Sequence, residues 1–175
     1  MSAIPVKIWR NLQSEVASLE RDARPREILK VILLWIRCNS QHLMLEPFLD
    51  YGFDMIKDLN EDSMPVEFSS LRSSDLSNFV NVIAKRKNKE VNAIAQFLRD
   101  VVEELVTVEL DKECPNCGSF GMRAFVGKGN GKLAYQCSVC GHSHYVDGAR
   151  VERDGLAFAT EKNLRELGVI QQTIE

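Results

Sequence analysis

The apolar positions of the first hundred residues recur mostly at spacings of three and four. Ile8, Leu12, Val16 and Leu19 form one stripe, with Arg10 and Glu15 off it, which predicts an amphipathic helix. Pro5 suits the first turn of that helix. Pro25 pushes its predecessor out of helical geometry, so the helix ends before it. A second helix opening at Pro25 carries Ile28, Leu29, Val31, Ile32, Leu33, Leu34, Trp35 and Ile36. A helix apolar nearly all round belongs at the centre of a bundle, and Trp35 reads as a core anchor there. After Asn39-Ser40, one or two short helices are expected between Leu43 and Ile56, interrupted by Pro47 and Gly52. His42 in this stretch reads as a structural histidine rather than a ligand or base. Residues 58–68 are acidic, contain Pro65, and read as a solvated loop.

A small-residue break, SSLRSS at 69–74, precedes the next helix. Ser73, Ser74 or Asp75 can cap it, and its apolar face is Leu76, Phe79, Val80 and Ile83. Beyond the basic turn KRKNK, 85–89, the residues Val91, Ile94, Leu98, Val101, Leu105 and Val108 form a heptad-like seam. The seam is too short for a free coiled coil. It is expected to pack on the 28–36 helix, with a homodimer through the 91–108 helix as the alternative. A helix-turn-helix over 75–100 fits poorly, because Asp100, Glu103 and Glu104 would repel phosphates.

The pattern then changes. Ser119–Val126 and Lys132–Gln136 read as paired strands joined by GKGNG, whose glycines and asparagine tolerate positive φ. Phe125 and Tyr135 are expected to pack across that pair, and Ser143–Val146 to add a third strand. In the tail, Thr160 caps a short helix carrying Leu164 and Leu167. Gly168 ends it, with Val169 as the hydrophobic residue that follows.

Chemistry enters with the cysteines. CPNC at 114–117 and CSVC at 137–140 are separated by nineteen residues. That is the spacing of a four-thiolate zinc site. Each pair lets a tight turn aim two sulfurs at one point, and Gly118 and Gly141 let the backbone curl behind them. A redox dithiol or two structural disulfides are the competing readings. The second pair disfavours the first, and a reducing compartment disfavours the second. Four thiolates at Cys114, Cys117, Cys137 and Cys140 leave zinc no open position, so the site is structural rather than catalytic. His142 and His144 lie beside the second pair and are not needed as ligands. A hairpin this small cannot hold itself together, so metal binding supplies its folding free energy.

CPNCG at 114–118 and CSVCGH at 137–142 resemble the zinc ribbon, a module of two zinc knuckles on a small antiparallel sheet. The resemblance covers about a quarter of the chain. Zinc ribbons occur in transcription factors, polymerase subunits, ribosomal proteins, toxin-neutralising proteins and enzyme appendages, so it implies a module and not one function. The ribbon followed by LAFATEKNLRELGVI, 156–170, also resembles bacterial immunity proteins that neutralise a toxin domain.

The expected fold class is therefore mainly α. A helical bundle spans 1–110, a small β zinc ribbon 111–150, and a tail with a short docking helix 151–175. Composition adds limits. In 175 residues, 22 basic and 25 acidic side chains give a net charge of −3, so nothing attracts nucleic acid or anionic lipid globally. The ribbon core, 111–150, has 5 basic and 3 acidic residues, far short of a dedicated DNA-binding domain. The opening MSAIPVKIWRNLQSE has no continuous apolar segment of the secretory type. The run at 28–36 is too short to span a bilayer. A cytoplasmic protein with no membrane partner is expected.

No nucleophile elbow, phosphate-binding loop, dinucleotide fingerprint or H-E-x-x-H motif occurs. The expectation is a non-enzymatic zinc protein that binds another protein, of inhibitor, immunity or adaptor type. Its acidic N-terminal half suits a basic toxin or nuclease domain. The alternative is nucleic-acid or transcription-machinery binding through the ribbon, with Arg123, Lys128, Lys132 and Tyr135 as contacts. An enzyme whose site no motif encodes is the third reading.

Overall fold

The computed structural model describes residues 2–19, 22–69, 73–152 and 155–171. The chain forms two compact units, Met1–Asp62 with Leu71–Leu105, and Ser63–Ser70 with Val106–Glu175.

The first unit is helical: α1 Val6–Ala17, α2 Pro25–Cys38, α3 Ser40–Leu43, α4 Phe53–Lys57, α5 Ser73–Lys85 and α6 Val91–Val106, whose last residue belongs to the second unit. The buried stripe of α1 is Trp9, Leu12 and Val16, turned so that Trp9 replaces Ile8 in the core. Its indole meets that of Trp35 edge-on, with centroids 6.4 Å apart. Burying an indole leaves an N–H to satisfy. Trp9 donates to the Arg86 carbonyl and Trp35 to the Ile8 carbonyl, both at 2.9 Å. On α2, Ile28, Leu29, Ile32, Leu33, Trp35 and Ile36 are buried, while Leu34 is 62% exposed. This helix therefore keeps one solvent edge, with Lys30 also exposed. Arg37 at its end donates to the carbonyls of Lys57 and Leu59 and to the Glu61 carboxylate, which pins the 57–61 loop. Along α6, Val91, Ile94, Leu98, Val101 and Leu105 are all buried within the single chain. The break at 70–72 and any side-chain cap from Ser73 or Ser74 lie outside the described residues.

The second unit is built on a five-stranded antiparallel sheet. Its strands are β1 Glu109–Glu113, β2 Phe120–Gly127, β3 Leu133–Cys137, β4 Ser143–Tyr145 and β5 Leu156–Phe158. The order is β1-β2-β3-β4, and β5 pairs with the far end of β2, at Phe125–Gly127, beyond the reach of β1. This corrects the mainly-α expectation. Helix accounts for about 46% of the described residues, and a whole unit is organised by a sheet rather than by a lone hairpin. The reason lies in ELDKE and LAF. Neither alternates apolar and polar residues, so neither announces a strand. Each forms because β2 has backbone groups on its outer edge that must be paired.

Register corrects a second expectation. Phe125 faces Ala134 and Tyr135 faces Ala124, so Phe125 and Tyr135 point to opposite sides of the sheet. Phe125 packs instead on Phe158 of β5, with centroids 5.8 Å apart.

One face carries Leu110, Met122, Ala124, Val126, Leu133 and Tyr135. At one end Ala124 clusters with Val108, Ala159, Leu164 and Ile170. At the other, Met122 and Tyr135 cluster with Cys114 and Cys137. Leu110 and Leu133 touch both clusters, so one apolar strip runs from the tail helix to the cysteines. The tail helix α7, Glu161–Glu166, has a capping box from Thr160 and Asn163. It ends with Gly168 N–H on the Arg165 carbonyl and Val169 N–H on the Leu164 carbonyl, the paired bonds of a glycine-terminated helix. The segment read as an acidic loop supplies part of this unit. The Ser63 carbonyl accepts from Glu161 N–H at 2.8 Å, and Arg165 lies over the Phe68 ring.

Candidate metal centre

The two Cys-x-x-Cys stretches fold alike, bond for bond. In the first knuckle, Cys114 N–H donates to the Ser119 carbonyl at 2.8 Å and Gly118 N–H to the Cys114 carbonyl at 2.9 Å. In the second, Cys137 N–H donates to His142 at 2.9 Å and Gly141 N–H to Cys137 at 3.0 Å. Gly118 and Gly141 take φ of 72° and 70°, the left-handed region where a side chain is strained. The sequence makes this turn twice because the same residue types recur at the same offsets.

The ends of β2 and β3 bring the knuckles together. Met122 pairs with Cys137, and Ser138 Oγ donates to the Gly121 carbonyl at 3.2 Å. All four Sγ atoms lie within 4.8 Å of one another. Cys114 to Cys140 and Cys117 to Cys137 are each 3.7 Å. A disulfide would need ~2.05 Å, so these sulfurs are not bonded. A tetrahedron of sulfurs at ~2.3 Å from zinc has edges of ~3.8 Å, and these two separations fit that figure. Four soft thiolate donors suit zinc.

Burial and hydrogen bonding divide the four. Cys114 and Cys137 are buried, while Cys117 and Cys140 are exposed. Burial pushes the Cys114 thiol up to about 11. Hydrogen bonds from the Ser119 hydroxyl and backbone bring Cys117 down to about 6. The His142 backbone N–H, and then Asn116, lower Cys140. Asn116 reaches across the knuckles to do so, with Nδ2 at 3.6 Å from Cys140 Sγ. Val139 N–H likewise points at Cys137 Sγ, at 3.4 Å. Donors thus already converge on sulfur charge, but four thiolates this close repel one another unless a cation sits among them. The four cysteines are positioned to hold a metal ion and are compatible with zinc. Cys114, Cys117, Cys137 and Cys140 would hold it, and it would cross-link the two turns beyond the β2–β3 pairing.

The remaining candidates are dispersed. Arg123 lies mid-strand on β2, opposite Glu109 and Gln136. Lys128 and Lys132 are exposed at the hairpin turn. Tyr135 is only 8% exposed, with Lys112 Nζ 4.5 Å above its ring and His144 against its edge. Arg123 and Tyr135 face opposite sides of the sheet by register. His142 and His144 stack near each other, with centroids 5.5 Å apart, and neither belongs to the sulfur cluster.

Sequence reasoning passed over two residues at the metal end. Phe120 and Val139 are 65% and 68% exposed, one directly after the first knuckle and the other inside the second. The signal was an apolar residue inside CSVC and another just after CPNCGS, where the turn needs neither. Among the described residues, no helix is long and apolar enough to cross a membrane. Comparison with protein-family models, with curated proteins and with solved structures gives no match.

Proposed function

We propose that the second unit is a zinc ribbon and that the protein is a non-enzymatic, cytoplasmic binding protein of inhibitor, immunity or adaptor type. One observation carries this reading. The end of the sheet that bears the four cysteines also bears Phe120 and Val139, two large apolar side chains left in solvent. Exposed apolar groups on a rigid support favour contact with another protein. The knuckles themselves, CPNCGS and CSVCGH, contain no lysine or arginine. Four thiolates around Zn²⁺ keep two negative charges. A basic partner such as a nuclease toxin domain suits that surface. The resemblance of the ribbon and α7 to immunity proteins points the same way. A cavity of about 210 Å³ in the helical unit is lined by Phe79, Phe97 and the carboxylates Asp75, Asp100 and Glu104 among others, with no cysteine, histidine or serine in its wall.

The alternative is nucleic-acid binding through Arg123, Lys128, Lys132 and Tyr135. Its support is the exposed lysine pair at the GKGNG turn. Against it stands the burial of Tyr135, which leaves little ring face for a base to stack on. The 91–108 helix as a homodimer seam is less favoured, because its apolar side chains are already covered within one chain.

The test places a photo-crosslinking residue at Phe120 or Val139 in one set of variants and at Lys128 or Lys132 in another, in the native cell. Protein adducts from the first set, lost when chelation removes zinc, support the proposal. Nucleic-acid adducts from the second set alone, with affinity falling steeply in salt, would replace it.

A further inference from the structure

The sulfurs of the metal centre differ in access, and the difference has a pattern. Each knuckle contributes one exposed cysteine, Cys117 or Cys140, and one buried, Cys114 or Cys137. Each 3.7 Å sulfur pair joins the exposed cysteine of one knuckle to the buried cysteine of the other. An oxidant arriving from solvent therefore meets Cys117 or Cys140, and a shielded thiol lies behind each on the opposite turn. Resting on the zinc reading above, we infer that Cys117 and Cys140 are sites of modification by hydroperoxides. Oxidation there releases the metal by closing two bridges across the knuckles, Cys117–Cys137 and Cys114–Cys140.

The chemistry balances without a further reagent. An exposed thiolate attacks the peroxide oxygen, the O–O bond breaks, and a sulfenic acid forms while hydroxide leaves as water on taking a proton. The buried partner then attacks the sulfenic sulfur, forming the S–S bond and expelling a second water. Two such events convert four thiolates, two hydrogen peroxides and four protons into two disulfides and four waters. Zinc departs as its ligands are consumed. Closing either pair from 3.7 Å to the ~2.05 Å of a disulfide requires only a small approach. The β2–β3 register and the Ser138 Oγ contact with Gly121 already hold the knuckles side by side. Neither turn-closing bond, Gly118 N–H to Cys114 or Gly141 N–H to Cys137, lies between the sulfurs that join. Two covalent links then stand where the metal stood, and the oxidised tip keeps its turns.

The experiment uses the full chain with Cys38→Ser, which removes the one cysteine outside the cluster, so that it cannot scramble the bridges. Zinc is first measured by elemental analysis of the reduced protein. Hydrogen peroxide is then added stepwise while released zinc is read with a chromogenic chelator. Trypsin places Cys114 and Cys117 in the peptide 113–123 and Cys137 and Cys140 in 133–150. The expected result is one zinc lost per two peroxides, the two peptides covalently linked, and fragmentation assigning 117–137 and 114–140. Gly118 and Gly141 amides should stay protected from exchange in the oxidised protein and lose protection in the reduced, chelated one. Unlinked peptides each carrying an internal bridge would overturn the inference, as would zinc retained in excess peroxide. Reduced protein without zinc would overturn the metal site as well, which separates the two failures.

Discussion

Removing zinc from the reduced protein should melt the two knuckles and leave the helical unit intact. The knuckles comprise twelve residues, 114–119 and 137–142. Ordering their backbone costs ~12–24 kcal/mol at ~1–2 kcal/mol per residue. Little on the spot offsets this. Met122 and Tyr135 are the non-cysteine members of the buried cluster there, and their burial contributes ~1.5–3 kcal/mol each. The four turn-closing hydrogen bonds add ~1 kcal/mol apiece. At mid-range the deficit is ~10 kcal/mol, and structural zinc supplies ~10–16 kcal/mol. Even a ~5 kcal/mol deficit is more than a thousandfold in an equilibrium constant. Amide exchange at Cys114, Gly118, Cys137 and Gly141 should therefore accelerate by at least about a thousandfold on chelation. Trp9 and Trp35 both belong to the helical unit, so tryptophan emission should not change. Retained protection at the four amides in reduced, metal-free protein would refute the claim that the metal holds this end together.

Gly141→Ala tests the backbone alone, since a Cβ there meets nothing within 4 Å and φ is +70°. Strain of ~1–2 kcal/mol should lower zinc affinity about 5- to 30-fold, read by competition with a chelator. Leu164→Ala empties a fully buried position between Ala124 and Ile170 and should cost ~2–5 kcal/mol in urea unfolding of the zinc-loaded protein. Burial, followed by His142 and Lys112, holds the His144 imidazole below its ordinary value. As pH falls through ~6.5 the unfolded chain takes up a proton that the folded one refuses, so stability is lost on acidification. His144→Gln should flatten that loss between about pH 7 and pH 5.5 at fixed free zinc. An unchanged slope would contradict the burial argument.

What could be read without coordinates was whatever depends on near neighbours in the chain. The spacing of CPNC and CSVC is a local property, because two intervening residues and a glycine define each turn, and the turns form as that spacing demands. The major helices follow from three-and-four spacing, and α7 from Thr160 at one end and Gly168 at the other. What depends on partners distant in sequence was not legible. ELDKE and LAF become strands only because β2 offers them an unpaired edge, and no pattern within five or three residues records that. The face each residue takes turns on register, where one step exchanges the sides of the sheet, so Phe125 and Tyr135 were paired in the reading and parted in the structure. Residues 58–68 read as a solvated loop, yet Ser63 and Phe68 join the sheet unit through contacts with Glu161 and Arg165, nearly a hundred positions away. Which cysteines meet solvent was likewise decided by packing. The four sulfurs are equivalent in the sequence, and only the strip of Met122, Tyr135, Leu110 and Leu133 beneath two of them makes the pairs unlike.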